Sequence, residues 1–246
     1  MSLLFAVRST QRPARDYMKV VLLQYTPDPE RTVALAARLC YSPADIDELK
    51  ERFSTADIRN FLEKIMSLGH QSVLEHASFT FGIEGISRVT THQLVRHRIA
   101  SFSQQSQRYV SHKERFAAVV PPTIAGRPDM LTRFESQLAA LHQAYAEMVE
   151  AGIPAEDARY ILPNATETKI IVSMNARALL NFFELRCCER AQWEIRAMAV
   201  EMLRVVKEVA PIIFQHAGPG CLTGPCPEGK MTCGKTVEVR ERFRGM

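Results

Sequence analysis

Between Arg96 and Tyr109 the chain reads Arg-His-Arg-Ile-Ala-Ser-Phe-Ser-Gln-Gln-Ser-Gln-Arg-Tyr, crowding guanidinium, imidazole, hydroxyl and amide groups into one short segment. Arginine presents a planar fork of N–H donors that matches a phosphate, and short hydroxyl and amide side chains can complete the ring of hydrogen bonds around a polar ligand. The chemistry this mixture suits is anion binding. From Arg88 to Arg115 six Lys or Arg stand against one acid, Glu114, with His92, His97 and His112 interleaved. The whole chain of 246 residues carries a formal charge of only +4. The positive charge is therefore focused, and the protein is not coated for polyanions. Ser106 with His97 nearby has the residue types of a nucleophile and its base, but no local acid completes a triad. A hydrogen bond to a phosphate or sugar suits Ser106 better.

A second group of reactive side chains lies late in the chain. Cys221, Cys226 and Cys233 sit in a Gly/Pro-rich stretch from Gly218 to Lys235, and Cys187-Cys188 follows Arg186. Cys188 with the three tail cysteines could form a four-sulfur zinc or iron–sulfur site, or all could be free thiols in an ordered tail. The spacings match no established metal motif, and no metal ligand is assigned. Six cysteines in a chain of this size do not make a disulfide framework.

The elements that must position these groups are readable from periodicity. Tyr17 to Tyr25 is an aliphatic run ended by Pro27 and Pro29, which predicts a strand, and Thr32 to Tyr41 predicts a short helix stopped by Pro43. Ser54 with Asp57 resembles a capping box; Ile58, Phe61, Leu62 and Ile65 follow at helical spacing, and Gly69 stands where a C-terminal cap belongs. Phe79, Phe81 and Ile83 alternate with polar or small residues, the period of a half-buried strand. Ser87 to Arg96 predicts a helix delivering the basic segment. Leu131, Phe134, Leu138, Leu141, Tyr145 and Met148 mark a long amphipathic helix closed by Gly152 and Pro154. Ile170 to Met174 predicts a short strand, followed by helices from Ala176 to about Cys188 and from Ala191 to Ala210. The Gly/Pro/Cys stretch must be irregular.

Strands and helices do not alternate as βαβ units, so the expected fold is α+β, a mixed or antiparallel sheet packed with long helices. One domain over residues 1–216 with a Cys/Gly/Pro-rich tail over 217–246 is the expected organisation. Gly82-Ile-Glu-Gly85 lacks the spacing of a dinucleotide fingerprint, so any dinucleotide needs a non-Rossmann site. The N-terminal sequence has no signal-peptide pattern and no apolar run reaches the roughly 18 residues of a membrane span. A cytoplasmic protein, with no membrane partner, is expected.

The Arg-His-Arg of residues 96–98, followed after seven residues by Ser106-x-Arg108, resembles the signature of the flavin-dependent thymidylate synthases. Gly69-His70-x-Ser72-x-x-Glu75-His76, Ala158-Arg159-x-x-Leu162-Pro163, Asn175-Ala176-Arg177-x-Leu179-x-Asn181-x-x-x-x-Arg186 and Ala191-Gln-Trp-Glu-Ile-Arg196 are similar to further motifs of that family, in the same order. The resemblance spans residues 30 to 215 approximately.

What the resemblance implies is reductive methylation of dUMP to dTMP, with methylenetetrahydrofolate as carbon donor and NADPH reducing FAD. It assigns Ser72, Arg96, His97, Arg98, Gln104, Asn175, Ala176, Arg177 and Asn181 to FAD. It gives Gln93, Arg96, Gln104, Gln105, Ser106, Gln107, Arg108, Arg159 and Arg186 to dUMP, with Arg186 polarising the pyrimidine, and sets His70 and Tyr109 near flavin or folate. A homotetramer with shared active sites is implied too. Ser103 stands where many members have Asn, and Gln104 where some have Glu. Residue by residue, other readings are open: His70 as a cation at a helix end, Arg159 and Arg186 as surface ion pairs, the latter with Glu184 or Glu189, and Asn175 as an N-cap. His76 with Glu75 lacks a helical histidine partner for metal binding, and Trp193 reads as core. The rival class is a nucleic-acid module stacking bases on Phe102 and Tyr109; the confined charge and the two lone aromatics speak against any polynucleotide partner.

Overall fold

Burial of alternate residues builds the centre of the molecule. In the computed structural model, which describes residues 18–51, 55–110 and 116–246, the strand β2 (Ser78–Ser87) buries Phe79, Phe81 and Ile83 while the residues between them are only partly covered. Strand β4 (Glu167–Asn175) does the same with Thr168, Ile170, Val172 and Met174. With β1 (Lys19–Tyr25) and β3 (Ser101–Gln104) they form a four-stranded antiparallel sheet in the order β1-β2-β4-β3. The expected alternation in residues 79–83 is present, and the fold is the α+β class that the residue pattern predicts.

The helices are α1 (Pro29–Leu39), α2 (Ile46–Glu51), α3 (Thr55–Ser67), α4 (Arg88–Leu94), α5 (Pro122–Ala125), α6 (Pro128–Glu150), α7 (Ala155–Ala158), α8 (Ala176–Arg186), α9 (Trp193–Val209) and α10 (Thr236–Arg244). Their contacts divide the chain into two compact units. The first takes Ile83–Arg96 and Phe102–Ile171, and the second Val20–Gly82, His97–Ser101 and Val172–Met246.

In the first unit α6 packs on α5 and α7, and Leu138 closes a small cluster with Phe116 and Ala118. Helix α4 starts where Ser87 accepts the Thr90 N–H at 3.2 Å. The second unit is centred on aromatics: Phe79 meets Phe214 edge-on at 5.4 Å, and Phe183 meets Phe214 at 5.9 Å. Helix α9 lays Ile195, Met198, Met202 and Val206 into this core.

Several boundaries differ from the periodicity reading for physical reasons. The helix expected from Ala191 starts at Trp193, because the Gln192 side chain caps it by accepting the Glu194 and Ile195 N–H groups at 3.0 and 3.2 Å. Gly69 does close α3, with φ +77. Ser54 of the expected capping box, and Tyr17 of the first strand, lie outside the described residues. Ser101–Gln104, to which periodicity assigned no element, is a strand: the backbone N–H of Gln105 reaches the Lys169 carbonyl at 2.9 Å and holds it beside β4. Helix α10, charged and without a strong apolar stripe, is an element that periodicity did not place; Val239 and Phe243 bury its inner face.

Replacing the Ser87 cap tests the entry of the chain into the basic segment. Ser87→Ala is expected to destabilise the fold by about 1 kcal/mol, read as a lower urea midpoint at unchanged m-value.

Candidate functional site

Two sets of polar side chains stand out, one in each unit. In the first unit the basic segment and the turn around Arg159 converge through a single acid. Glu156, in α7, accepts from Arg108 Nε through its carboxylate at 2.7 Å and from Arg159 Nε through its backbone carbonyl at 3.0 Å. Each arginine is thus oriented by one of its five N–H donors, and the terminal fork, the part that grips a phosphate, is not consumed by that anchor. Arg88 belongs to the same patch: burial and the positive charge of Arg159 lower its pKa. Two guanidiniums so close repel unless an anion lies between or beside them.

The rest of the segment is fixed around this pair. Ser106 Oγ accepts the backbone N–H of Arg108 at 3.1 Å, a local turn that curls the chain toward Glu156. Gln107 is buried. Gln104 donates its amide hydrogens to Thr91 and Thr168 hydroxyls at 3.2 and 3.3 Å, tying β3 to α4 and β4. Its amide is therefore held as a donor, which explains how Gln serves where a carboxylate would accept from the same hydroxyls. Gln93 is half-buried at the end of α4, Gln105 is half-buried, and Arg96 is exposed. Tyr109 is 82 % exposed, with the Arg108 guanidinium 5.6 Å above its ring.

In the second unit the polar set surrounds α8. Asn175 is its N-cap, accepting the Ala178 N–H at 2.8 Å, and the N–H of Ala176 is held by the Ala77 carbonyl at 2.8 Å. Arg177 on the first turn pairs with Glu75 at 2.6 Å, which ties α8 to the short 3-10 turn Ser72–His76. Ser72, Arg177, Asn181 and, after His97, Arg98 are exposed. This set of hydroxyl, amides and the Arg177 guanidinium beside a helix N-terminus fits a dinucleotide diphosphate such as FAD, and Arg98 adds a second guanidinium next to His97. His70 sits apart at the end of α3, its Nε2 3.3 Å from the Tyr41 hydroxyl.

At the other end of α8 lies the sharpest contact. Arg186 Nε donates to His97 Nε2 at 2.9 Å, and the imidazole meets Phe182 edge-on at 4.9 Å. A nitrogen that accepts cannot carry a proton, so His97 is neutral with its proton on Nδ1. Burial, aided by the Arg186 charge, lowers its pKa from 6.5 to about 4. Glu189 receives Arg196 at 2.8 Å and Arg242. Glu156 and Arg88 are the members of the site that sequence motifs do not mark. Glu156 could be sought from its place three residues before Arg159, and Arg88 from its place in the basic window.

The depressed His97 sets a pH window. Its folded-state pKa lies below the unfolded value, so the unfolded chain gains a proton first, and stability falls as pH drops from 6.5 toward about 4. His97→Gln is expected to flatten this dependence; urea titrations of both proteins across the window check it, and parallel curves would refute it.

Residues 21–212 match the family model described as thymidylate synthase complementing protein. The chain is 67% identical to a flavin-dependent thymidylate synthase of Geobacter sulfurreducens, over 93% of this chain and 99% of that one. It is 50% identical to that of Clostridium tetani, over 92% and 97% of the two chains. It is 46% identical to that of Pyrococcus horikoshii, over 93% and 98%. In fold it is similar to the UMP/dUMP methylase PolB of Streptomyces cacaoi, solved with 5-Br dUMP, with a TM-score of 0.72 at 24% identity over 80% of this chain and 93% of that one. With its sequence motifs, its α+β fold and the matched stretch from 21 to 212 in agreement, the chain belongs to the flavin-dependent thymidylate synthase family.

Proposed function

We propose that the two side-chain sets divide the work of reductive methylation of dUMP to dTMP, the nucleotide falling to the patch around Glu156 and the flavin to the surface around α8. The chain is an enzyme of the family and FAD is its cofactor. The observation that carries the proposal is the anchoring of Arg108 and Arg159 through Nε on Glu156, which presets two guanidinium forks for one phosphate monoester.

Arg108 and Arg159, with Arg88 adding charge, take the dUMP phosphate. Gln105, Ser106 and Gln107 line the sugar, while Gln93, Arg96 and Gln104 complete the cradle, Gln104 by holding β3 in place. Arg186, oriented by neutral His97, faces the pyrimidine and stabilises negative charge developing on its ring oxygens and N3. Ser72, Arg96, His97, Arg98, Gln104, Asn175, Ala176, Arg177 and Asn181 hold FAD. FAD, reduced by NADPH, supplies the hydride, and methylenetetrahydrofolate supplies the carbon. The protein contributes position, charge and exclusion of water, and no cysteine nucleophile is required. His70 and Tyr109 stand near flavin or folate.

The family model ends at 212, which supports reading 1–216 as the catalytic domain and 217–246 as an appended tail. Among the described residues no helix is long and apolar enough to cross a membrane, in keeping with a cytoplasmic enzyme. Tyr109 and Tyr160 are 82 % and 85 % exposed beside the phosphate arginines; aromatics so bare fit a surface covered by another copy in a homotetramer.

Tritium release from C5-labelled dUMP, with FAD and methylenetetrahydrofolate present, is expected only when NADPH is added. Release without reductant would overturn the flavin-dependent reading. Arg159→Ala is expected to weaken dUMP binding about 10- to 100-fold while the yellow chromophore stays bound. Arg177→Ala should do the reverse, losing flavin with dUMP affinity near that of the parent. Calorimetry and flavin absorbance distinguish the two.

A further inference from the structure

Four cysteines distant in sequence line one cavity. Cys188, just past α8, faces Cys221, Cys226 and Cys233 of the tail around a space of about 100 Å³ that Glu184 and Arg190 also border. Its neighbour Cys187 does not belong to the group: it is fully buried in the core. Cys221 is electrostatically coupled to each of the other three thiols, so all four sulfurs share one neighbourhood.

The tail is built to bring them there. Arg240 on α10 reaches back with Nε to the Cys221 carbonyl at 2.8 Å and with Nη2 to the Gly224 carbonyl at 2.7 Å, bracing the turn between Cys221 and Cys226. Gly220 fits where a Cβ would meet Glu184 Oε1 and Pro227 Cγ, both at 2.9 Å, which presses Cys221 toward α8. Gly234 turns the chain with φ +74 so that the Lys235 N–H donates to Cys233 Sγ at 3.5 Å.

We infer that Cys188, Cys221, Cys226 and Cys233 bind one zinc-class divalent ion in a closed tetrathiolate site that fastens the tail to the end of α8. Soft thiolates in fourfold array select zinc over hard, oxygen-seeking cations. Among the described residues no three ligating side chains already stand at coordinating distance, so the sulfurs close in on binding, to about 3.8 Å from one another at the usual Zn–S length. The reaction transfers no electrons: the ion replaces the thiol protons, up to four of which pass to solvent, leaving a complex of charge −2 in a lining that also holds Arg190 and the carboxylates of Glu184, Glu189 and Glu228. The ion is structural, and it lies two residues beyond Arg186.

The test reads the metal itself. Full-length untagged protein, prepared anaerobically with reductant, is expected to carry about one zinc per chain. After stripping with a mercurial and chelator, cobalt(II) titration should give sulfur-to-cobalt charge transfer and the intense visible bands of tetrahedral thiolate cobalt, saturating at about one equivalent. Cys226→Ser and Cys233→Ser should abolish or strongly shift these bands, and Cys40→Ser, outside the cavity, should leave them intact. The wild-type spectrum decides even where a variant does not fold. Zinc-free protein with no cobalt bands would overturn the site, as would bands unchanged in both variants, or thiols lost in pairs to disulfides without metal uptake.

Discussion

A guanidinium keeps its charge at any pH a protein meets, so the charge of the partner that orients it decides the local field. At the Arg186–His97 contact that partner is a neutral imidazole, where a carboxylate would form an ion pair. A neutral imidazole orients Nε and takes no net charge from it. Burial against Phe182 keeps the imidazole neutral, so the aromatic core of the second unit and the orientation of Arg186 depend on each other.

The position of Arg186 is in turn a consequence of how α8 begins. Asn175 caps it, the Ala77 carbonyl takes the N–H of Ala176, and the Arg177–Glu75 pair fixes its first turn. From there the helix runs a fixed rise per residue, so the site of Arg186 is set by contacts made three turns earlier. Phe182 and Phe183, both fully buried, fix its rotation about its own axis. Surface polar groups and core packing are thus two ends of one rigid element, which is the arrangement that holds reacting groups to within fractions of an ångström.

What could be read from sequence was whatever depended on local spacing. The alternation of Phe79, Phe81 and Ile83, the stripe of α6 and the Asn175 cap are patterns a few residues long, and each is present in the structure. The site residues were marked by family motifs, and the structure gathers them into two sets. What escaped was long-range. Ser101–Gln104 is a strand because of a carbonyl at Lys169, and the partner of Arg186 lies 89 positions away. Glu156 reaches Arg108 across 48 positions. Helix α10 escaped for a different reason: its apolar contacts are only Val239 and Phe243, too few to raise a periodic signal above the charges around them.

Arg108, Arg159 and Arg186 share one device: each is held at Nε, by a carboxylate, a carbonyl and an imidazole respectively. Gripping the guanidinium at its inner nitrogen fixes the plane of the fork with the smallest use of its donors. The carboxylate and the carbonyl of Glu156 both stand in the patch where Arg108, Arg159 and Arg88 crowd together, and the imidazole orients Arg186 without adding a charge of its own. Glu156 lends its carboxylate to Arg108 and its uncharged carbonyl to Arg159. One acid therefore holds the cationic patch together without cancelling it, and the patch retains a net positive charge of the kind that favours an anionic ligand.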